Sequence, residues 1–300
     1  MNFYGPMDVS IIIINYNTFN LTADCIRSVI QFTSGGSYEI ILVDNASTEC
    51  DAEKFLEEFP RLTLVQSEIN GGFAHGNNLG IQHAKGEYVL LLNSDTILRE
   101  DSIFKCLNYL KGYKAAAVAG CRMIFPTGVV QHTARRFRSI KWELLDLFRF
   151  IPMLMPYKKR SRLMLGKYFK CDENIECDWV SGAFLMFKKK ILDELPNHKL
   201  DDRFFMYGED QLWCEQIKSL GHLVVFYSET TIIHLGSAST GIKKQIGLRK
   251  RMMKHELEIM RLRKGKGLYY WIFATIYTLK ETARNLFKLL TLKITGQINS

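Results

Sequence analysis

The run Val9-Ser10-Ile11-Ile12-Ile13-Ile14 is almost continuously apolar and β-branched, and it stops abruptly at Asn15-Tyr16-Asn17. A run of this kind, without alternation, marks a strand covered on both faces. An amphipathic pattern follows, with Leu21, Cys25 and Val29 on one helical stripe and Ile26 and Ile30 beside it. Ile40-Ile41-Leu42-Val43 predicts a second buried strand, stopped by Asp44-Asn45-Ala46-Ser47, and Leu62-Thr63-Leu64-Val65 predicts a third. A helix is predicted from Gly71-Gly72 through Asn78 to Ala84. A fourth strand, Tyr88-Val89-Leu90-Leu91-Leu92, ends at Asn93-Ser94-Asp95, and a fifth covers 115–120. Strands alternating with helices predict an α/β fold with a mostly parallel sheet between helical layers.

The pattern then changes. Residues 138–170 read as helical and basic, with Trp142, Leu144, Leu145 and Phe148 set between charges, and Pro152 and Pro156 break the segment. Strand-like runs return at 183–187, 223–227 and 231–234. Beyond Gly241 the chain reads as amphipathic helix, with Met253, Leu257 and Met260 on one stripe and Phe287, Leu290 and Ile294 on another.

In open α/β sheets ligands sit beyond the carboxyl ends of the strands. Asn15-Tyr16-Asn17, Asp44-Asn45 and Asn93-Ser94-Asp95 all fall at such ends. Each group alone reads as a turn or cap, but three together favour a site.

Composition adds limits. With 300 residues, 47% hydrophobic and 24% charged, the chain is neither disordered nor a small stapled scaffold. Its seven scattered cysteines lack zinc-ribbon spacing and read as reduced thiols of a cytoplasmic protein. The net charge of +9 is segregated: residues 241–300 hold 14 Lys and Arg against 3 Asp and Glu, and 135–170 hold 11 against 2. Two basic surfaces on an otherwise acidic body seek phosphate-bearing partners. Asp8 and Asn15-Tyr16-Asn17 interrupt any secretory apolar core. The apolar run from Leu268 to Leu279 would span roughly 18 Å as a helix, against about 30 Å of hydrocarbon.

No GxGxxG follows the first strand, and neither a Walker sequence nor a GxSxG elbow occurs. A diphosphate would then be held through a divalent metal, and Asp95 at a strand exit is a hard oxygen ligand of the right kind.

The stretches Val9 to Asn17, Val43-Asp44-Asn45-Ala46-Ser47, Asn70 to Asn78 and Leu91-Leu92-Asn93-Ser94-Asp95-Thr96 resemble the opening of glycosyltransferase family 2. Asp178 to Ala183, Phe204 to Asp210 and Ile233-His234-Leu235-Gly236 are similar to its rhamnosyltransferase-containing branch. The resemblance implies the GT-A fold, a Rossmann-like α/β/α sandwich, over 8–240, with a basic helical insertion at about 138–170. Residues 241–300 would follow as a basic amphipathic helical segment.

It also implies an inverting, metal-dependent transferase using a dTDP- or UDP-activated sugar, with rhamnose the preferred donor. Asn15, Tyr16, Asn17, Asp44, Gly72, Asn77, Asn78 and Asp95 would bind the nucleotide sugar. Asp95 closes the DxD-type motif, whose opening position is Asn93, and His234 would complete a site for Mg²⁺ or Mn²⁺. Asp210 matches the family base. Glu209, Trp179, Ser181 and Gly182 would face the acceptor, a glycan or lipid-linked saccharide. Leu212 stands where many relatives keep another acid.

Arg135, Arg136 and Arg138 are placed to approach a phosphate. In the tail, Lys243, Lys244, Lys264 and Lys266 precede Tyr269-Tyr270-Trp271, a pattern that fits either peripheral contact with an anionic membrane or a helix packed with a solvated basic face. The first would place the protein at the cytoplasmic face of the inner membrane, in bacterial surface polysaccharide synthesis. No nucleic-acid recognition motif is present. The competing expectation is a degenerate nucleotide-sugar-binding or membrane-docking scaffold.

Overall fold

The computed structural model describes residues 6–236 and 242–294, the last with backbone alone at 242–246 and 288–294. Lys243, Lys244, Leu290 and Ile294, read above as tail charges and a helical stripe, lie outside the described side chains. The chain divides into two compact units, residues 1–136 with 165–236, and residues 137–164 with 237–300.

In the first unit, β1 (Val9–Asn15), α1 (Phe19–Phe32), β2 (Tyr38–Asp44), α2 (Lys54–Glu58), β3 (Thr63–Gln66), α3 (Gly72–His83) and β4 (Tyr88–Asn93) alternate. Then come β5 (Thr96–Ile97), α4 (Ser102–Gly112), β6 (Ala116–Ile124), β7 (Val130–Gln131) and β8 (Ala134–Arg135). The second unit interposes α5 (Ile140–Leu147), α6 (Phe150–Met153) and α7 (Tyr157–Met164). The first unit resumes with β9 (Ile175–Cys177), β10 (Trp179–Val180), β11 (Phe184–Lys188), α8 (Glu209–Ser219) and β12 (Leu223–His234). Helices α9 (Ile242–Lys264) and α10 (Leu268–Ile294) complete the second.

The main sheet runs β3-β2-β1-β4-β11-β6-β12-β5, with β3, β2, β1 and β4 parallel and β11 antiparallel between β4 and β6. Its faces are covered by different means. Ile11, Ile13 and Leu42 pack with Cys25, Ile26 and Val29 of α1 and with Phe104 and Leu107 of α4. On the opposite face α3 lies close because Gly80 has no side chain: a Cβ there would stand 2.6 Å from Ile12 Cγ2. Leu21 and Ile30, placed by the helical stripe with the core residues of α1, are instead 38% and 50% exposed. Cys25, Ile26 and Val29 already fill the width of contact with the sheet.

The runs 223–227 and 231–234 form one strand, β12. Its register with β6 jumps from Tyr227↔Cys121 to Thr231↔Arg122. Glu100 accepts hydrogen bonds from Thr230 Oγ1 (2.7 Å) and Thr231 N (3.0 Å), which hold the bulge. Beyond it the strand pairs again and His234 lands opposite Thr96.

The second unit joins the insertion to the tail helices. Met260, Phe273 and Tyr277 form its small apolar core, with Ile140, Met253 and Leu257 against them. Beside that core lie fully buried charges. Lys280 pairs with Glu143 and, at 2.9 Å, with Asp146; Arg284 reaches Asp146 at 2.9 Å and Arg138 reaches Glu143 at 2.7 Å. The Arg138 guanidinium also lies over the rings of Trp142 and Tyr277, 4.9 and 5.0 Å from their centroids.

Candidate active site

The polar exits of β1 and β2 are tied together. Asn15 Nδ2 donates to Asp44 Oδ1 (2.7 Å) and to Ser47 Oγ (2.9 Å), while Ser47 N donates to Asp44 Oδ2 (3.0 Å). Asp44 is buried and held by both oxygens. Tyr16 is 46% exposed at the same exit. Asn17, in the left-handed region at φ 52°, turns inward: its Oδ1 accepts from Thr48 N (2.8 Å) and Glu49 N (3.2 Å). Asn45, at the polar exit of β2 noted in the sequence, has a buried Oδ1 with no hydrogen-bond partner among the described residues, an acceptor waiting for a donor.

The loop into α3 is shaped sterically. Gly72 adopts φ +87°, and a Cβ there would stand 2.1 Å from Phe205 O. Phe73 N donates to that same carbonyl at 2.9 Å. Asn77 and Asn78, expected as nucleotide contacts, spend their amides on the chain itself. Asn77 Nδ2 donates to Phe73 O (3.0 Å); Asn78 donates to Leu200 O (2.8 Å) and accepts from Leu200 N (3.1 Å). With Asn17, they tie the rim together.

Asp95 follows β4, and the β5–β12 register brings His234 beside it. The Nε2 of His234 lies 3.2 Å from Asp95 Oδ1 and 3.4 Å from Asn93 Nδ2. On the other side of the ring Nδ1 meets Gln131 Oε1 at 2.7 Å, and Gln131 Nε2 donates to the His234 carbonyl, also at 2.7 Å. That second bond fixes which end of the amide faces the ring, so Nδ1 donates to Gln131 and Nε2 is the nitrogen turned to Asp95. A ring nitrogen and a carboxylate oxygen at this distance attract each other when a proton or a cation lies between them. Burial works to raise the Asp95 carboxyl, but the hydrogen bond and charge of His234 outweigh it and hold it below the ordinary carboxylate range. Adjacent ligands of an octahedral ion at about 2.1 Å are themselves about 3.0 Å apart, so the pair fits a hard divalent cation. Among the described residues no cluster of three or more His, Cys, Asp or Glu could hold a metal, so an ion on this pair would take its remaining ligands from water, a substrate or other oxygen donors. Gln131 was invisible in the sequence, where a glutamine in a two-residue strand carries no signal.

Asp210 stands in the first turn of α8. Its Oδ2 accepts from Gly182 N (3.0 Å) and its Oδ1 from Gln211 N (2.8 Å). A Cβ on Gly182 would lie 3.2 Å from the Phe73 ring and 3.4 Å from Asp210 Cβ. Burial pushes the Asp210 carboxyl up, against the pull of these amides and of Arg135. Glu209, 6% exposed, is pushed up to about 8 by burial and by the charge of Asp210, and its Oε2 has no hydrogen-bond partner among the described residues. The pair therefore favours a single negative charge at neutral pH. Trp179 is half-buried and pairs with Arg135 across β10 and β8, with the guanidinium 5.1 Å from the ring centroid. Ser181 Oγ accepts from Ala183 N at 3.3 Å. Leu212 is buried, so its position faces the core.

These groups share one edge of the sheet. Asn45 reaches Gly72 O (3.2 Å), Phe73 abuts Gly182, Gly182 holds Asp210, and Ala183 O accepts from Asn93 N (3.1 Å) beside His234. Asp44, Asp95, His234 and Asp210 are thus linked by contacts around the strand exits.

Known proteins resemble this arrangement. The chain is 33% identical over 117 residues to glycosyltransferase GlyG of Streptococcus pneumoniae, covering 37% of this chain and 38% of that one. It is 25% identical over 239 residues to the O-antigen biosynthesis protein RfbC of Myxococcus xanthus, covering 78% of this chain and 18% of that one. The chain thus spans well under half of either relative. The mannosyltransferase PcManGT of Pyrobaculum calidifontis, solved with GDP-Man and Mn²⁺, superposes with a TM-score of 0.56 at 17% identity, over 99% of this chain and 78% of that one. The sheet already described is that of a GT-A fold, and the model of glycosyl transferase family 2 matches residues 10–195: the chain belongs to that family.

Proposed function

We propose that the protein transfers a sugar, with inversion, from a dTDP- or UDP-activated donor to a hydroxyl of a glycan or lipid-linked saccharide in bacterial surface polysaccharide synthesis. Rhamnose is the sugar favoured by the branch motifs. The observation that carries the reading is the facing pair of Asp95 and His234 on the same sheet edge as the half-buried carboxylate of Asp210. Asp95 and His234 would hold Mg²⁺ or Mn²⁺, which when bound supplies positive charge to the leaving diphosphate. Asp44 and the exposed Tyr16 bound the nucleoside side, and Asn45 Oδ1 offers a free acceptor there. Asp210 takes the proton of the attacking hydroxyl, held in place by the amides of Gly182 and Gln211. Protonated Glu209 can donate to an acceptor oxygen, and Trp179, braced by Arg135, offers a ring face to a sugar. Cytoplasmic location at the inner face of an anionic membrane suits a lipid-linked acceptor.

A donor screen reading released nucleoside diphosphate tests this. Turnover of one dTDP- or UDP-sugar is expected, abolished by EDTA and restored by Mn²⁺ or Mg²⁺. No turnover and no donor-induced rise in thermal midpoint would leave a non-catalytic scaffold as the better account.

Gln131 makes a separate prediction. Gln131→Leu frees the His234 ring and its tautomer, and should weaken Mn²⁺ binding about 10–100-fold in a titration with nucleoside diphosphate present. An unchanged affinity would remove Gln131 as the orienting group.

A further inference from the structure

The second unit buries charged side chains beside its small apolar core and leaves many other apolar side chains exposed. On α10, Leu268, Trp271, Ile272, Leu279 and Leu286 recur at helical spacing along one side and are 77%, 59%, 41%, 67% and 59% exposed. The opposite side carries Phe273, Tyr277 and Lys280, all at most 5% exposed. On α5 the acids Glu143 and Asp146 are buried, whereas Leu147 and Phe148 are exposed, and beyond them Phe150, Ile151, Met153 and Leu154 are exposed around a buried Pro152, Leu154 to 83%. A surface helix in water normally turns such a stripe inward, and apolar exposure repeated along two segments marks a surface that something covers.

The cations of the same segments say what covers it. Exposed Lys158 and Lys159 follow Leu154 closely, and exposed Lys264 and Lys266 directly precede Leu268. Residues 137–164 and 237–300 together hold 21 Lys and Arg against 5 Asp and Glu. A second copy of so basic a unit would meet repulsion. A nucleic acid would satisfy the lysines but leave the leucines and Trp271 in water. Apolar side chains beside lysines match the acyl–headgroup boundary of an anionic bilayer. Among the described residues no helix is long and apolar enough to cross a membrane. In α10 the apolar stripe is backed by Lys280, Glu281 and Arg284, so a helix lying in the interface plane is the fitting geometry.

We infer that the second unit docks on anionic lipid bilayers by seating the outer stripe of α10 and the α5–α6 segment in the interface, with the adjoining lysines on the headgroups. The inference sharpens the membrane part of the proposed function and rests on it, but not on the sugar-transfer reaction.

Flotation of the full chain tests it, using vesicles of phosphatidylcholine with phosphatidylglycerol against phosphatidylcholine alone. Binding is expected only to the anionic vesicles and should weaken with added salt. The triple variant Leu268→Glu, Trp271→Glu, Leu279→Glu should lower the partition coefficient by about tenfold or more. Brominated acyl chains should quench tryptophan fluorescence in the parent, and Trp271→Phe, a mild change at an exposed site, should remove most of that quenching while flotation persists. Failure of the parent to float, flotation undiminished by the triple variant, or quenching untouched by Trp271→Phe would each overturn the inference. So would a vesicle-independent dimer dispersed by the same substitutions. Sugar transfer to a soluble acceptor should survive the triple variant, and its absence from the parent would count against the proposed reaction while leaving the docking result standing.

Discussion

Asp210→Asn should lower sugar transfer by about 10²–10⁴-fold, the usual contribution of a positioned base, with donor affinity and thermal midpoint little changed. The asparagine keeps its size and one oxygen, so either Gly182 N or Gln211 N retains its acceptor, whereas the capacity to take a proton is lost. Transfer rate at saturating donor, set beside donor binding by calorimetry, separates the two effects; a rate within a few-fold of the parent would exclude Asp210 as the base. The neighbouring acid supplies a pH test. Glu209 ordinarily loses its proton near 4.5 and holds it to about 8 in the folded protein. Between those values the folded state binds the extra proton, so stability falls as pH rises through the window, and the loss is complete above it. Glu209→Gln has no charge to bury. Its thermal midpoint should therefore gain on the parent between pH 5 and pH 8.5, and parallel curves would show that Glu209 is not held protonated.

Lys280→Met should destabilise the protein by about 3–5 kcal/mol, because it leaves Glu143 and Asp146 buried without their cation. Those acids are at most 1% exposed, and Arg138 and Arg284 reach only part of them. The loss should appear in urea unfolding as an early transition of the second unit. Lys280→Met combined with Glu143→Gln and Asp146→Leu should recover much of it, since the orphaned carboxylates are removed while Arg138 keeps Glu256 and Arg284 keeps Glu281. A single variant within about 1 kcal/mol of the parent, less than the penalty for an orphaned buried charge, would show that the acids shed their charge or find water instead.

Some of this was legible from local pattern. The strand at Val9–Asn15 needs apolar residues on both faces wherever it sits in a parallel sheet, so its composition declares it. Residue type alone was a poorer guide at the rim. Asn78 looked like a ligand group, but its partner is Leu200, 122 positions away, a distance over which pattern carries no information. The same holds for Gln131 and His234, 103 positions apart, and for the jump in register that brings His234 to Thr96.

By itself, then, the sequence determined the alternation of strand and helix, the family, and the acids and amides gathered at strand exits, because each depends on near neighbours or a short motif. Tertiary structure decided which polar groups are spent internally and which remain open, which nitrogen of His234 faces Asp95, and that the charges of α5 and α10 turn inward while their leucines face out. Those outcomes depend on partners brought together from far along the chain, where burial and pairing compete and the hydropathy of one segment cannot say which wins.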